Sequence, residues 1–438
     1  MPATTGMKGS GYYDRHSAAQ LATIHALRDW VEAAVADLPL PDAAQPITVL
    51  DLGSSEGRNA IQVMTTIVEG LRRRTGQPVQ TIYSDLASNN FNRLFANLDE
   101  ARRAGLFPSG VYASAVGGSF YGRLLPSSTV YLATCFNSIQ WLDQLPAVIV
   151  DNFVAYRRPN PPRPGLTVSP EITAAFERQA EQDLVRFLEC RARELVPGAR
   201  LLLASPGDTN QTRLADGLAD VLNDACLDLV AAGRMKRQEY ERLTFPAYFR
   251  TLAELLAPLE RHDSPVRGMF TVDRAEELEV PTPFFVEFRR GGDVEAYARA
   301  YTGFLRAVSE PVVKAALTAR EGQAESIEEL YGRIRARLTA EPERYLFRYM
   351  LVAALLTRRC IGSVVTMCDD RTARRPATFI DSARGSAGST YPPDCGSASP
   401  SLELGDRGKH KWESGLSPGS LDCTRNWTDV LAPSPRPP

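Results

Sequence analysis

Between residues 46 and 207, short apolar runs alternate with stretches of helical periodicity, and this alternation constrains the fold more than any other feature. The runs are rich in apolar side chains and fit buried strands at 46–52, 79–86, 111–117, 129–136 and 199–207. Helical patterns occupy 59–74, 88–103 and 178–196, the last of which stops at Pro197-Gly198. Such alternation predicts an α/β fold with a mostly parallel sheet covered on both faces.

The composition changes near residue 373. Residues 373–438 are rich in Ser, Gly and Pro and poor in large aliphatic side chains, so they cannot bury enough apolar surface to offset the entropy of ordering. We expect this segment to be a disordered tail and residues 1–372 to form one domain. In that domain we expect a core at about 40–206 and 260–360, closing strands at 269–272 and 346–357, and helical cap segments mainly at 150–178, 208–260 and 290–344.

The overall composition favours a globular protein and argues against several partners. Hydrophobic residues make up 44% of the chain and the formal net charge is −2, so neither a nucleic acid nor a membrane surface is indicated. The seven cysteines have no CxxC or metal-ligand spacing, which predicts reduced thiols and no metal site. No signal peptide or membrane span is recognisable, and we expect a cytoplasmic location.

The first apolar run ends in the turn DLGSSEG, with Asp51, Gly53 and Gly57. This GxxxG spacing differs from the GxGxxG of dinucleotide sites, and DxGxxxG is typical of S-adenosylmethionine-dependent methyltransferases, where the glycines let a ligand approach the backbone. Asp85 ends the second run, where a carboxylate can accept from two ribose hydroxyls. Plainer interpretations stay open: a glycine turn without a ligand, and Asp85 as the N-cap of a helix beginning near Ser88.

Five further segments resemble, in order, motifs of the SABATH methyltransferases, named for salicylic acid, benzoic acid and theobromine enzymes. They are YDRHSAAQ (13–20), SDLASNNFNRLFANL (84–98), GGSFYGRLLPSSTVYLATCFNSIQWLDQLP (117–146), QAEQDLVRFLECRARELVPGARLLL (179–203) and FPAYF (245–249). The resemblance covers about residues 7–360. It implies a seven-stranded Rossmann-like methyltransferase sheet with an α-helical cap, and S-adenosylmethionine as cofactor.

Carried over residue by residue, the resemblance implies roles at particular positions. Cofactor contacts fall at Tyr13, Ser17, Asp51, Gly53, Asp85, Leu86, Ser119 and Phe120. Gln20 and Trp141 are the implied catalytic residues, which would hold a substrate carboxylate through an amide and an indole N–H. Asn137 and Gln140 join them in the implied substrate pocket. Members of the family are often dimers, so a homodimer is possible.

Taken singly, several of these residues have plainer interpretations. Trp141 could be a core anchor, Ser119-Phe120 a turn entering a helix, and Gln20 a solvated polar residue. The chain also departs from the family pattern. Asp14 and His16 replace an alanine and an asparagine of the N-terminal motif, and Asn137 replaces an aromatic pocket residue of many plant members.

The implied reaction converts a small acid, aromatic or hydrophobic, to its methyl ester. A carboxylic acid has a pKa near ~4, so it arrives ionised, and in-line transfer then needs no general base. Three alternatives stay open: N-methylation of a purine-like heterocycle, a non-catalytic S-adenosylmethionine-binding relative, and a nicotinamide-dependent oxidoreductase. The last lacks both GxGxxG and a Tyr-x-x-x-Lys dyad on a following helix.

Overall fold

The structure is a computed structural model that describes residues 6–42, 45–149, 156, 158, 168–317 and 322–360. The chain divides into two units, Met1–Thr366 and Met367–Pro438, and all described residues belong to the first. The tail predicted at 373–438 lies outside the described residues, as do 150–155, 157, 159–167 and 318–321 of the predicted cap.

Seven strands form one mixed sheet in the described part of the chain. They are β1 (Ile47–Leu52), β2 (Val79–Asp85), β3 (Val111–Gly117), β4 (Val130–Phe136), β5 (Leu195–Pro206), β6 (Phe270–Glu279) and β7 (Met350–Arg358). Their spatial order is β3-β2-β1-β4-β5-β7-β6. The first five are parallel, whereas β7 runs antiparallel to β5 and β6 antiparallel to β7. The predicted seven-stranded methyltransferase sheet is confirmed.

Twelve helices accompany these strands in the described residues. They are α1 (Tyr12–His16), α2 (Ala18–Ala26), α3 (Arg28–Ala36), α4 (Arg58–Arg72), α5 (Phe91–Arg103), α6 (Pro170–Glu194), α7 (Leu218–Ala231), α8 (Arg237–Glu241), α9 (Leu252–Glu260), α10 (Pro283–Gly291), α11 (Val294–Ala316) and α12 (Gln323–Ala340). No helix among the described residues combines the length and apolarity needed to cross a membrane.

The central strands of the sheet are buried on both faces, as their continuous apolar sequences predict. In β1, Ile47 and Val49 belong to one hydrophobic cluster, and Leu50 and Leu52 belong to a second. Successive side chains of a strand point to opposite faces, so the two clusters are the two sides of one sheet.

Several element boundaries differ from the sequence-based expectation; α6, for example, begins at Pro170 and not at residue 178. The sixth helix ends at Glu194, and β5 begins at Leu195 rather than after Pro197-Gly198. The pairing of β5 with β4 slips where these residues lie, which is how a strand accommodates a proline. Strand β6 extends well beyond the predicted range 269–272. The prediction was too short because β6 lies at the exposed edge of the sheet, where its charged side chains obscure the strand pattern in the sequence.

The strand order reverses beside β1. Strand β1 pairs with β2 on one side and with β4 on the other, and all three end at the same edge. Open α/β sheets bind ligands in the crevice outside such carboxyl ends. The turn after β1, which contains Gly53, and Asp85 at the end of β2 therefore lie together at this edge.

Candidate active site

The turn after β1 has a conformation that requires glycine. Gly53 and Gly57 have φ of 90° and 100°, values that side-chain-bearing residues rarely adopt. A Cβ on Gly53 would lie 2.1 Å from the Ser138 Oγ. The N–H groups of Gly53 and Ser54 donate to the Ser84 carbonyl at 2.8 and 3.0 Å, which ties the turn to the end of β2.

Asp85 anchors the other side of this turn. Its carboxylate accepts from the N–H groups of Ser55 and Leu86, both at 2.7 Å. Burial raises the pKa of Asp85, while the two backbone donors oppose that shift. The next helix is capped instead by Asn90, whose side chain accepts from the Arg93 N–H, so the N-cap interpretation of Asp85 is wrong.

Asp51 is buried below the turn. Its carboxylate accepts from the Thr134 hydroxyl at 2.8 Å. Burial raises the pKa of Asp51 to about 7, and Asp85 nearby adds to the rise. A second carboxylate so close to the first makes this edge of the sheet favourable for a cationic or hydroxyl-rich ligand.

Three cavities meet at the carboxyl edge. We call them the strand-end cavity, of about 680 Å³, the turn cavity, of about 340 Å³, and the apolar cavity, of about 810 Å³, each counted with its open mouth. Tyr13 and Asn137 line all three. Gln20 lines the turn and apolar cavities, and Trp141 lines the strand-end and apolar cavities.

The strand-end cavity contains the residues that the resemblance assigns to a nucleoside. Its lining includes Gly53, Asp85, Leu86, Ser119 and Phe120. The Phe120 ring packs edge-on against Phe187 at 5.9 Å. Ser119-Phe120 begins no helix, because residues 118–129 form turns between β3 and β4. A carboxylate, a flat apolar face and a hydroxyl suit ribose and a heteroaromatic base.

The turn cavity contains buried oxygen atoms without partners. Gln20 Oε1, Ser54 Oγ and Asn59 Oδ1 are buried and make no hydrogen bond, and all three residues line this cavity together with Asp51. Buried polar atoms are rarely left unpaired, so the cavity fits a polar ligand with N–H donors. The α-amino group of an amino acid provides such N–H donors. Ser17 does not line the cavity, but its carbonyl accepts from Asn59 at 3.3 Å.

The apolar cavity has one polar end and a long apolar wall. The polar end is formed by Tyr13, Gln20, Asn137, Gln140 and Tyr349, of which the last three are joined by hydrogen bonds. The wall comes from α7, α11 and the segments around them, and includes Leu214, Leu218, Leu222, Phe249, Phe304 and Phe347. None of the described residues lining this cavity is charged. It fits a ligand with one polar end and an apolar body.

The polar residues at that end differ in availability. Gln140 Nε2 donates to the Asn137 carbonyl at 2.7 Å, and its Oε1 accepts from the Ser205 hydroxyl at 3.4 Å. Asn137 bonds through its side chain to Thr23 and Tyr349. Gln20 is 5% exposed and its Oε1 has no protein partner, so it is not the solvated residue that its sequence position allows.

Two departures from the family pattern have structural explanations. His16 packs so closely on Gly303 that a Cβ there would lie 2.2 Å from the imidazole Cδ2. Its Nδ1 donates to the Tyr12 carbonyl at 2.9 Å. Asp14 accepts from Asn97 at 2.7 Å. Neither His16 nor Asp14 lines any of the three cavities.

Sequence reasoning missed Glu56. This carboxylate is 2% exposed and accepts from the Gly11 N–H through both oxygens, at 3.0 and 2.9 Å. It holds the N-terminal segment, including Tyr13, against the turn. A buried acid within a glycine-rich turn is the available signal, but its partner is 45 residues away in the chain.

Comparison with known proteins agrees with this geometry. The family model described as SAM dependent carboxyl methyltransferase matches residues 3–359. The chain belongs to this family. Indole-3-acetate O-methyltransferase 1 of Oryza sativa subsp. japonica is 30% identical over 72% of this chain and 83% of its own. Salicylate carboxymethyltransferase of Clarkia breweri is 28% identical over 70% of this chain and 85% of its own.

A solved structure described as loganic acid methyltransferase with SAH has the same fold. It aligns with a TM-score of 0.64 at 22% identity, over 81% of this chain and 98% of its own. As a SAM dependent carboxyl methyltransferase, the protein is an enzyme that uses S-adenosylmethionine and a small-molecule substrate. Family membership excludes the nicotinamide-dependent alternative.

The residue roles implied by the resemblance stay predictions for this carboxyl methyltransferase. All the predicted site residues except Ser17 line at least one of the three cavities. The unpaired oxygens of the turn cavity and Asp85 in the strand-end cavity suit the two ends of the cofactor. Among the described residues, no group of three or more His, Cys, Asp or Glu is placed to hold a metal ion.

Proposed function

We propose that the enzyme converts a small carboxylic acid with an aromatic or other hydrophobic body to its methyl ester, by in-line transfer without a general base. The observation that carries this proposal is the apolar cavity, which has neutral polar groups at one end and no charged side chain among its described lining residues. A second charge or several hydroxyls on the substrate body would be buried there without partners.

The cofactor supplies an electrophilic methyl group when it is bound. Asp85, Ser119 and Phe120 would hold its nucleoside part, and Asp51, Ser54 and Asn59 its amino-acid part. Tyr13 lies at the junction of the three cavities and would separate the cofactor from the open side of the apolar cavity.

Gln20 and Trp141 would hold the substrate carboxylate with neutral N–H donors. Neutral donors orient the attacking oxygen and leave its negative charge in place, whereas a lysine or arginine would neutralise that charge. Trp141 is fixed by its backbone, which pairs with Ala247 and accepts from the Tyr121 hydroxyl at 2.7 Å. Positioning of two reactants can contribute on the order of 7–11 kcal/mol to a barrier reduction.

None of the described residues at the polar end is suited to be a general base. Burial raises the pKa of Tyr13 and Tyr349 far above the usual value, so both phenols stay protonated at neutral pH. The side chains of Gln20, Asn137 and Gln140 do not titrate. This agrees with a substrate that arrives already ionised.

A labelled-methyl transfer screen tests the proposal. The panel contains salicylate, indole-3-acetate and 3-phenylpropanoate, a dicarboxylate of similar size, and xanthines. We expect transfer to the apolar monocarboxylates and at least tenfold less to the dicarboxylate. Transfer to xanthines alone would support the N-methyltransferase alternative. Tight binding of S-adenosylhomocysteine without any product would support a non-catalytic relative.

A further inference from the structure

A chain of three hydrogen bonds joins three separate elements beside the apolar cavity. The Tyr349 hydroxyl, just before β7, donates to Asn137 Oδ1 at 3.0 Å. Asn137 Nδ2, in the loop after β4, donates to Thr23 Oγ1 at 2.8 Å. The Thr23 hydroxyl, in α2, donates to the Gln20 carbonyl at 2.7 Å.

The direction of each bond follows from the last one. A backbone carbonyl only accepts, so the Thr23 hydroxyl uses its single proton on Gln20 and must accept from Asn137. The Asn137 amide then presents its NH₂ to Thr23 and its oxygen to Tyr349. The network thus fixes the orientation of an amide that could otherwise be placed in two ways.

The two residues on either side of Asn137 in this network are buried. Thr23 is completely buried and Tyr349 is 4% exposed. Asn137 has φ of 54°, in the left-handed region. Its N–H donates to the Ala204 carbonyl at 2.8 Å, and its own carbonyl accepts from Gln140. A left-handed conformation of a non-glycine residue is maintained only where the surrounding contacts hold it. Asn137 is held by four hydrogen bonds, two through its side chain and two through its backbone.

These hydrogen bonds join the two segments that carry the proposed carboxylate donors. Gln20 itself receives the last bond through its backbone, and its side-chain oxygen makes no bond within the protein. Trp141 follows Asn137 by four residues, and the backbone N–H of Trp141 donates to the Ser138 carbonyl at 3.1 Å. The chain therefore connects α2, which carries Gln20, to the loop that carries Trp141.

We propose that Thr23, Asn137 and Tyr349 are positioning residues that set the separation between Gln20 and Trp141. This role rests on the proposed function, because it assumes that the two residues hold one carboxylate. Transfer reactions are sensitive to displacements of about 1 Å, which can lower rates by roughly 100-fold. None of the three residues needs to touch the methyl group.

Thr23 offers a matched pair of variants. Thr23→Val keeps the shape and removes the hydroxyl, whereas Thr23→Ser keeps the hydroxyl and removes a methyl group. The measurements are kcat and KM with the panel acid that the wild type methylates fastest, the Kd of S-adenosylhomocysteine, and the melting temperature. Tyr349→Phe repeats the test at the other end of the chain.

We expect Thr23→Val and Tyr349→Phe to lower kcat/KM for the acid by roughly 10–100-fold, with S-adenosylhomocysteine affinity within about twofold of wild type. Thr23→Ser should stay within about threefold of wild type, because the hydroxyl remains. A purely structural role would not separate the acid kinetics from cofactor affinity in this way.

Two results would overturn the proposal. One is a Thr23→Val enzyme with wild-type kinetics. The other is a loss of activity, cofactor affinity and melting temperature in proportion in both Thr23 variants. A wild-type enzyme that binds S-adenosylhomocysteine but methylates no acid would overturn the proposed function itself, and the positioning role with it.

Discussion

Gln20 and Gln140 both line the apolar cavity, but only Gln20 has a side-chain oxygen that the protein leaves unbonded. Gln140 uses its amide on Asn137 and Ser205. The Gln140 amide is therefore satisfied within the protein, whereas the Gln20 oxygen is available to accept a hydrogen bond from a ligand. Residue type alone does not distinguish these two roles.

Trp141→Phe tests the second proposed carboxylate donor. The change removes the indole N–H and keeps an aromatic ring near Phe245, whose ring lies 6.3 Å from that of Trp141. We expect kcat/KM for an acid substrate to fall by roughly 10–100-fold, because one orienting donor is lost. S-adenosylhomocysteine affinity, measured by calorimetry, should stay near wild type. An unchanged methylation rate would remove Trp141 from the site.

Asp51 should make stability depend on pH. Its folded-state pKa is about 7, whereas the usual value is near ~4. Between these values the folded protein holds a proton that the unfolded chain has released, so the unfolding free energy falls as pH rises through this range. Above about pH 7 the contribution is constant.

Asp51→Asn removes this titration and keeps an oxygen for the Thr134 hydroxyl. Unfolding free energies are measured by urea denaturation at pH 5, 6, 7 and 8. Between pH 5 and 7, we expect the wild-type value to decline more steeply than that of Asp51→Asn, by up to about 1.4 kcal/mol per pH unit. Asp208, also buried with a pKa of about 7, contributes equally in both proteins. Parallel profiles would show that Asp51 does not titrate in this range.

At this scale, residues whose role depends on local chemistry were predictable and residues defined by distant partners were not. Gly53 and Asp85 follow from a strand end and a turn, whose geometry is set within a few residues. Tyr349 bonds to a residue 212 positions earlier, and no sequence spacing reveals that contact.

Two helices, α7 and α11, contribute much of the wall of the apolar cavity. Leu218 and Leu222 of α7 are one turn apart and point to the same side, as do Phe304 and Val308 of α11. These rows of apolar side chains are also ordinary core patterns. The sequence therefore predicts the helices but does not predict that they face a cavity.

Ala219→Phe tests the wall of α7. Ala219 is 6% exposed and lines the cavity, so a phenyl ring there would occupy space intended for the substrate body. We expect kcat/KM for 3-phenylpropanoate and indole-3-acetate to fall by roughly tenfold or more, and for benzoate to change less.

Leu227→Phe is the matched control for that prediction. Leu227 is also in α7 but is 37% exposed, and it does not line the cavity. This variant should keep the wild-type preference among acids. An equal effect of both variants on every acid would indicate a general disturbance of α7 and not a change in the cavity.

The strands could be predicted from the sequence, but their order in the sheet could not. All seven were predicted, since apolar runs bounded by turns are local signals. The range predicted for β6 was too short, because charged side chains occupy its exposed edge positions. The antiparallel insertion of β7 between β5 and β6 was not predicted, because strand order depends on pairing between segments far apart in the chain.

Across the whole molecule, the N-terminal segment connects both sides of the site. The Lys8 N–H donates to the Ala307 carbonyl at 2.9 Å, and its ammonium pairs with Glu310 on α11. Gly11 is held by Glu56 in the first turn. Tyr13 follows within the same segment, so one of the two residues common to all three cavities is held from two directions.

Removal of residues 367–438 tests where the fold and the site are encoded. Every described strand and every lining residue of the three cavities lies before residue 361. We therefore expect a chain ending at residue 366 to keep the wild-type melting temperature, S-adenosylhomocysteine affinity and methyl-transfer rate. A chain ending at residue 348 should not fold, because it lacks β7, whose two faces belong to the two hydrophobic clusters and which pairs with both β5 and β6. If the chain ending at residue 366 lost cofactor binding, residues beyond 366 would be part of the functional enzyme.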